Sequence, residues 1–383
     1  RFAESDGFEF DQGRKEAWRY RDWVIRALNE DLPYDRFLRH QLAGDEVDPP
    51  DEHARLATGF LMAGPDMTDI NIATERRHEF LNKMTQTVGE AFLGLTLGCA
   101  QCHSHKTDPV TIEDFYRFRS FFAATVVDPK KSKQLPPQVK ESRPDPPMSF
   151  VMEGGDFRRP GAPVGPAFPP VLNPTDDQIP VTPDGATTSY RRTALARWLT
   201  RADHPLTTRV IVNRLWLHHF GRALVTTPND FGRTGQEPTH PALLDWLATE
   251  LPRQEWSLKA MHRLILTSRT YRQASRGSGP DWQKRLSRDP GNLLLSRAPR
   301  KRLEGEAIRD SFLAVAGLLN RKAGGPSIRP PLPREITTTI RNRNWEVSPD
   351  PADHLRRSVY IFVRRNLSYP LFDVFDRPDS NAS

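Results

Sequence analysis

Fourteen of the 35 prolines lie between residues 129 and 183. Proline removes a backbone donor and clashes with the preceding helical turn, so no helix of any length survives there. On either side the apolar residues recur at helical spacing. The expected fold is therefore mainly α. A helical N-terminal unit covers 1–128, a Pro-rich strap with short strands covers 129–185, and a helical unit with minor β covers 186–383. Within the strap, Phe150 to Met152 reads as a short strand and Gly154-Gly155 as a turn.

Charge divides the chain in the same way. Residues 1–128 carry 15 Lys/Arg against 23 Asp/Glu, residues 129–185 carry 7 against 7, and residues 186–383 carry 33 against 18. The basic last unit admits an anionic partner, with an acidic polysaccharide or an anionic surface as candidates. Its basic residues are scattered and form no zinc-finger, basic-zipper or helix-turn-helix pattern, so specific nucleic-acid binding is not expected. No apolar run approaches the 18 or so residues of a membrane span. No leader is visible. The chain starts at Arg1 in what reads as mid-domain and stops after Ser383, as an internal piece of a longer protein would.

The helical readings are specific. Residues 14–29 form an amphipathic helix that Pro33 closes. A second covers Tyr34 to Leu42, with Gly44 as its cap. Others fall near 52–61 and 74–97, and over the aromatic stretch Ile112 to Ala124. Later helices cover Arg191 to Thr200 and Pro205 to Gly221, then one begins at Pro241 after Thr239-His240. Ser257 caps the next, with Trp256 and Met261 placed for a staple. Arg302 to Gly317 is the last. Val359 to Val363 reads as a strand.

Residues 99–103 are Cys-Ala-Gln-Cys-His, and Cys99 and Cys102 are the only cysteines. This is the spacing of a c-type haem attachment site. Each thiol would form a thioether to haem, and His103 would bind the iron from the proximal side. A redox disulfide or a metal pair uses the same two cysteines and stays open. Zinc lacks a second cysteine pair, and adjacent Cys102 and His103 suit one tetrahedral ion poorly. The helical stripe Met84, Val88, Ala91, Phe92 and Leu95 delivers the motif after Gly98, with an apolar face to cover a porphyrin.

A distal ligand is less determined. His105 is too near His103 to reach the opposite haem face. Met148 or Met152, in the strap, could bring a thioether over the iron. Met84 stands about 20 Å away along a continuous helix, and His78 would need a chain reversal. Elsewhere, His218 and His219 point about 100° apart and make no joint metal site. His204, His240 and His262 could converge with Asp203 or Asp245. Asp230 and Glu304 are carboxylates without the spacing of a glycosidase pair. No nucleophile elbow, zincin motif, phosphate loop or dinucleotide fingerprint occurs.

The stretch from Phe92 to Pro109, with Gln41-Leu42-Ala43-Gly44-Asp45 and Trp18-Arg19-Tyr20-Arg21-Asp22, resembles the planctomycete-type cytochrome-c-like domain of unknown function. Residues 213–221, Pro228-Asn229-Asp230-Phe231-Gly232, Thr239-His240-Pro241 and Arg357-Ser358-Val359-Tyr360-Ile361 resemble its companion C-terminal domain. The resemblance implies a large secreted, periplasmic or cell-surface protein, hence an extracytoplasmic site. It carries over Cys99, Cys102 and His103 as the site of covalent haem c, while the motif itself makes an electron-transfer or redox role with an unidentified redox partner the leading expectation. It implies no reaction. A Thr-His pair of that pattern is replaced here by Met148-Ser149. A surface accessory role, with the basic C-terminal unit binding anionic polysaccharide, is the alternative.

Overall fold

The computed structural model describes residues 2–7, 11–47, 49–65, 70–126, 138–141, 143–173, 177–337 and 345–375. The fold is mainly α with minor β. The N-terminal helices are α1 (Trp18–Asn29), α2 (Tyr34–Ala43), α3 (Glu52–Ala57), α4 (Ala73–Val88) and α5 (Ile112–Arg119). Four short strands follow: β1 (Thr125–Val126), β2 (Lys140–Glu141), β3 (Ser149–Met152) and β4 (Pro160–Val164). Then come α6 (Arg191–Leu199), α7 (Thr207–Phe220), α8 (Pro241–Arg253), α9 (Leu258–Thr267), α10 (Pro280–Arg288), α11 (Gly305–Val315), α12 (Arg334–Thr337) and α13 (Pro370–Val374).

The strands make two antiparallel pairs, β1 with β2 and β3 with β4. In the second, Ser149 faces Val164 and Phe150 faces Pro163, and the register shifts before Met152 faces Pro160. Proline is tolerated in β4 because a two-stranded ribbon has only edges.

Local chemistry explains the helix limits. Thr111 starts α5 through a reciprocal capping box with Asp114. Ser257 starts α9 by accepting from Ala260 N. Gly44 follows the last residue of α2 and lets α3 pack close, since a Cβ there would lie 1.9 Å from the Ala54 carbonyl oxygen. Pro241 occupies the first turn of α8.

Two expectations are corrected. The helix expected over 74–97 ends as α4 at Val88, and a wide π-type turn covers Gly89–Leu93. Gly94, at φ 58°, then reverses the chain. Phe231 N donates to the Gly94 carbonyl at 2.7 Å, and a Cβ on Gly94 would meet the Phe231 ring at 2.8 Å. A partner from the far half therefore overrides helical periodicity. The strand expected over Val359 to Val363 is instead a 3-10 turn, Ser358–Tyr360, fixed by Ser358 N donating to Asp310 Oδ1 at 2.7 Å. Only a single parallel bridge, Ile328 to Ile361, remains of it. Helix α10 has no buried residue, and its short apolar face consists of the half-buried Trp282 and Leu286, one turn apart.

The main core runs through both halves. Leu38, Leu42, Phe92, Phe115 and Phe118 of the first share one buried cluster with Phe168 of the strap and Leu195, Trp198, Val212 and Leu251 of the second. Phe168 stacks between Phe121 and Trp198, with centroids 5.1 and 4.6 Å away. At the seam Arg192, with 0% exposure, ion-pairs with Asp45 at 2.7 Å and Glu46 at 3.1 Å. Glu141 lies 3.8 Å from its Nε and accepts from Ser189 Oγ and Thr188 Oγ1. The two ends are also stitched together. Glu4 N donates to Val363 O at 2.8 Å, and Arg364 pairs with Asp11 at 2.8 Å.

Candidate functional site

Cys99 sits on a 3-10 turn, Leu97–Ala100, whose Leu97 and Ala100 side chains are buried. Those anchors push the intervening thiol outward, and Cys99 and Cys102 are both exposed and outside any disulfide. The turn is pinned from behind. Gln86 Nε2 on α4 donates to Gln101 Oε1 at 3.0 Å, and Tyr116 Oη on α5 donates to the Gln101 carbonyl at 3.0 Å. Gly98 leaves room for Gln86, whose Cγ would lie 2.7 Å from a Cβ there.

His103 is exposed, and its Nδ1 lies 2.8 Å from the Ser104 carbonyl. A carbonyl can only accept, so Nδ1 carries a proton and Nε2 is the nitrogen left for a ligand. His105 has a different job. Its Nδ1 accepts from Asp108 N at 2.9 Å, and its Nε2 lies 3.1 Å from Thr96 Oγ1. Buried Asp108 in turn accepts from Arg233 N at 2.7 Å, tying the loop after the motif to the C-terminal half.

Behind the motif lies a polar network that the sequence alone does not announce. Arg119 is buried, stacks on the Tyr116 ring at 4.9 Å, and donates to Asn82 Oδ1 at 2.8 Å and His78 Nδ1 at 3.0 Å. Arginine only donates, so His78 is neutral with its proton on Nε2. Burial, reinforced by the Arg119 charge, brings the His78 pKa down to about 4. Nε2 approaches the Gly155 backbone without reaching hydrogen-bond geometry. Burial also lowers the Arg119 pKa to about 10. The β3–β4 turn that carries Gly155 lies over Cys102.

The expected distal candidates separate. Met148 is 68% exposed, just before β3. Met152 is half-buried in β3 and packs on the core. Met84 is buried in that core. His204, His240 and His262 are each held by different partners. His204 stands edge-on to Trp198 at 4.5 Å, with burial bringing its pKa to about 4. His240 bonds Thr239. His262 Nδ1 lies 2.7 Å from His219 Nε2, a pair between α9 and α7 that adjacent-residue reasoning about His218 and His219 misses. Asp230 spends both oxygens on its own loop, with Gly232 N and Thr234 Oγ1. No group of three His, Cys, Asp or Glu among the described residues could hold a metal ion.

Residues 1–126 match the family model PSCyt2, a protein of unknown function (DUF1549). Residues 191–383 match PSD1, a protein of unknown function (DUF1553). The chain belongs to the PSCyt2–PSD1 family. These are the planctomycete cytochrome-c-like and C-terminal domains of unknown function, in N-to-C order. No curated protein and no solved structure matches it. The PSCyt2 part carries Cys99, Cys102 and His103, while the PSD1 part begins at Arg191, beside the Arg192 that locks the halves together.

The donor set of the PSCyt2 motif fits haem c by its chemistry. Two unpaired thiols and an outward imidazole nitrogen follow one another on a single pinned turn. It does not fit a closed zinc site, which needs four ligands.

Proposed function

We propose that the chain is an extracytoplasmic c-type cytochrome-like protein with a redox role, bearing one haem on Cys99 and Cys102. The observation that carries this reading is the His103 tautomer. Its Nδ1–H is spent on the Ser104 carbonyl, which leaves Nε2 as the ligating nitrogen. Cys99 and Cys102 would hold the haem through two thioethers, each thiol's S–H adding across one vinyl group. Bound haem supplies a one-electron couple. The protein's own contribution is orientation: Gln86 and Tyr116 hold the turn, and His105 with Asp108 fixes the loop after it.

The test uses the full chain, because the core is shared between its halves. The protein is exported in a host equipped for cytochrome c maturation and its haem content is read on a denaturing gel and by pyridine haemochrome spectrum. Haem that survives denaturation, and is absent from the Cys99→Ser/Cys102→Ser variant, supports the reading. A folded protein without covalent haem defeats it.

A further inference from the structure

A second region of the molecule has unused hydrogen-bonding capacity. A cleft of about 450 Å³ lies between Glu4, Gly13 and Trp18 on one side and Ser327, Arg329 and Phe362 on the other. Arg329 lines it, with its guanidinium lying on the Phe362 ring at 4.0 Å. Its Nε is buried without an acceptor, and the guanidinium makes no ion pair among the described residues. Glu4 and Glu346 bear on it only through their field. With no carboxylate among the described residues bound to it, the guanidinium keeps its terminal N–H donors for an anion in the cleft.

The other charges of the cleft divide into used and unused. Glu4 accepts from Ser327 Oγ at 2.7 Å and from Val363 N at 3.2 Å. Asp11 is taken by Arg364, and Arg14 by Asp6 and two carbonyls. Lys15 and Glu346 are exposed and unpaired among the described residues. The half-buried Trp18 indole forms part of the wall. The cleft thus offers a guanidinium fork, an ammonium, a carboxylate and an aromatic ring.

A guanidinium fork matches two oxygens of one anion. An ammonium and a carboxylate beside it suit hydroxyl groups, and an indole suits the face of a sugar ring. The volume falls within the range of roughly 300–1,000 Å³ for small-molecule sites. We infer that this cleft binds an anionic sugar, with Arg329 receiving its carboxylate or sulfate group. The inference stands apart from the haem reading, since the cleft shares no residue with the Cys99–His103 turn. It gives the expected anionic-saccharide partner a defined seat at the seam of the two halves.

Saturation-transfer NMR titrations of the full chain with D-galacturonate and neutral D-galactose test it, with thermal unfolding measured in parallel. Galacturonate is expected to bind at least about tenfold more tightly than galactose, and Arg329→Gln to lose at least about tenfold of that affinity. Lys15→Ala, on the exposed rim, should weaken galacturonate several-fold at unchanged unfolding temperature. Equal binding of the two sugars overturns the inference, as does a folded Arg329→Gln with wild-type affinity. Inorganic sulfate that competes as strongly as galacturonate overturns the sugar and leaves an oxyanion site. Should Arg329→Gln fail to fold, Lys15→Ala and the wild-type preference between the two sugars decide.

Discussion

A Cβ atom placed on Gly155 would come within 2.5 Å of the Cys102 sulfur. The glycine is at φ 77°, so the β3–β4 turn reaches the thiol only because no side chain intervenes. The exposed Cys102 thiol is therefore flanked on one side by the strap.

Gly155→Ala is expected to lift this turn. The cost is about 1–3 kcal/mol from backbone strain and the clash together. Cys102 should then be alkylated faster relative to Cys99, which mass mapping after brief iodoacetamide treatment reads directly. Unchanged relative rates would show that the turn does not shield the thiol.

Acid sensitivity should trace partly to His78. Its pKa falls from 6.5 in the unfolded chain to about 4 in the fold. A depressed imidazole contributes stability that is complete above pH 6.5 and is lost as pH falls toward 4. His78→Gln keeps an uncharged polar side chain on α4 but cannot titrate. Its urea midpoint should change less than the wild type's between about pH 7 and about pH 4.5.

The Arg192 cluster gives the opposite dependence. Burial, and then the Glu141 charge, push Glu46 up to about 7 against the pull of Arg192. A raised carboxyl favours the fold fully below pH 4.5, and that contribution is lost as pH rises through about 7. Glu46→Gln should flatten the decline and unfold later than wild type at about pH 8. Arg192→Leu leaves three carboxylates facing one another and should cost about 3–5 kcal/mol, read by denaturant unfolding.

The two histidines of the motif region should separate in their effects. His105→Ala removes the acceptor for Asp108 N and should cost about 1–3 kcal/mol. His103→Ala, at an exposed position, should change stability by no more than about 0.5 kcal/mol. In the haem-loaded protein it is His103→Ala that should alter the visible spectrum. A spectral change confined to the His105 variant would reverse the assignment.

Helices with an amphipathic stripe or a strong cap were legible in the sequence: Tyr34–Ala43, Ile112–Arg119 and Leu258–Thr267 all stand close to where periodicity and capping put them. The motif turn was legible through cysteine spacing alone. What escaped is tertiary in origin. The Gly94 reversal depends on Phe231, more than a hundred residues later. The Val359–Val363 segment has strand composition, but Asp310 takes the Ser358 amide. The Arg119–His78–Asn82 network joins residues that no spacing rule connects, because they stand on two helices, α4 and α5, separated by the motif turn.

Arg192 also bears on inheritance. Its carboxylates come from Asp45 and Glu46 in the first family segment and from Glu141 in the strap between the two, so three parts of the chain meet in one buried charge cluster. A recombination that carried off either segment alone would strand a guanidinium or three acids in a greasy interior. Neither segment is therefore a free-standing folding unit at this seam, and a residue exchanged on one side sets which partners the other side tolerates.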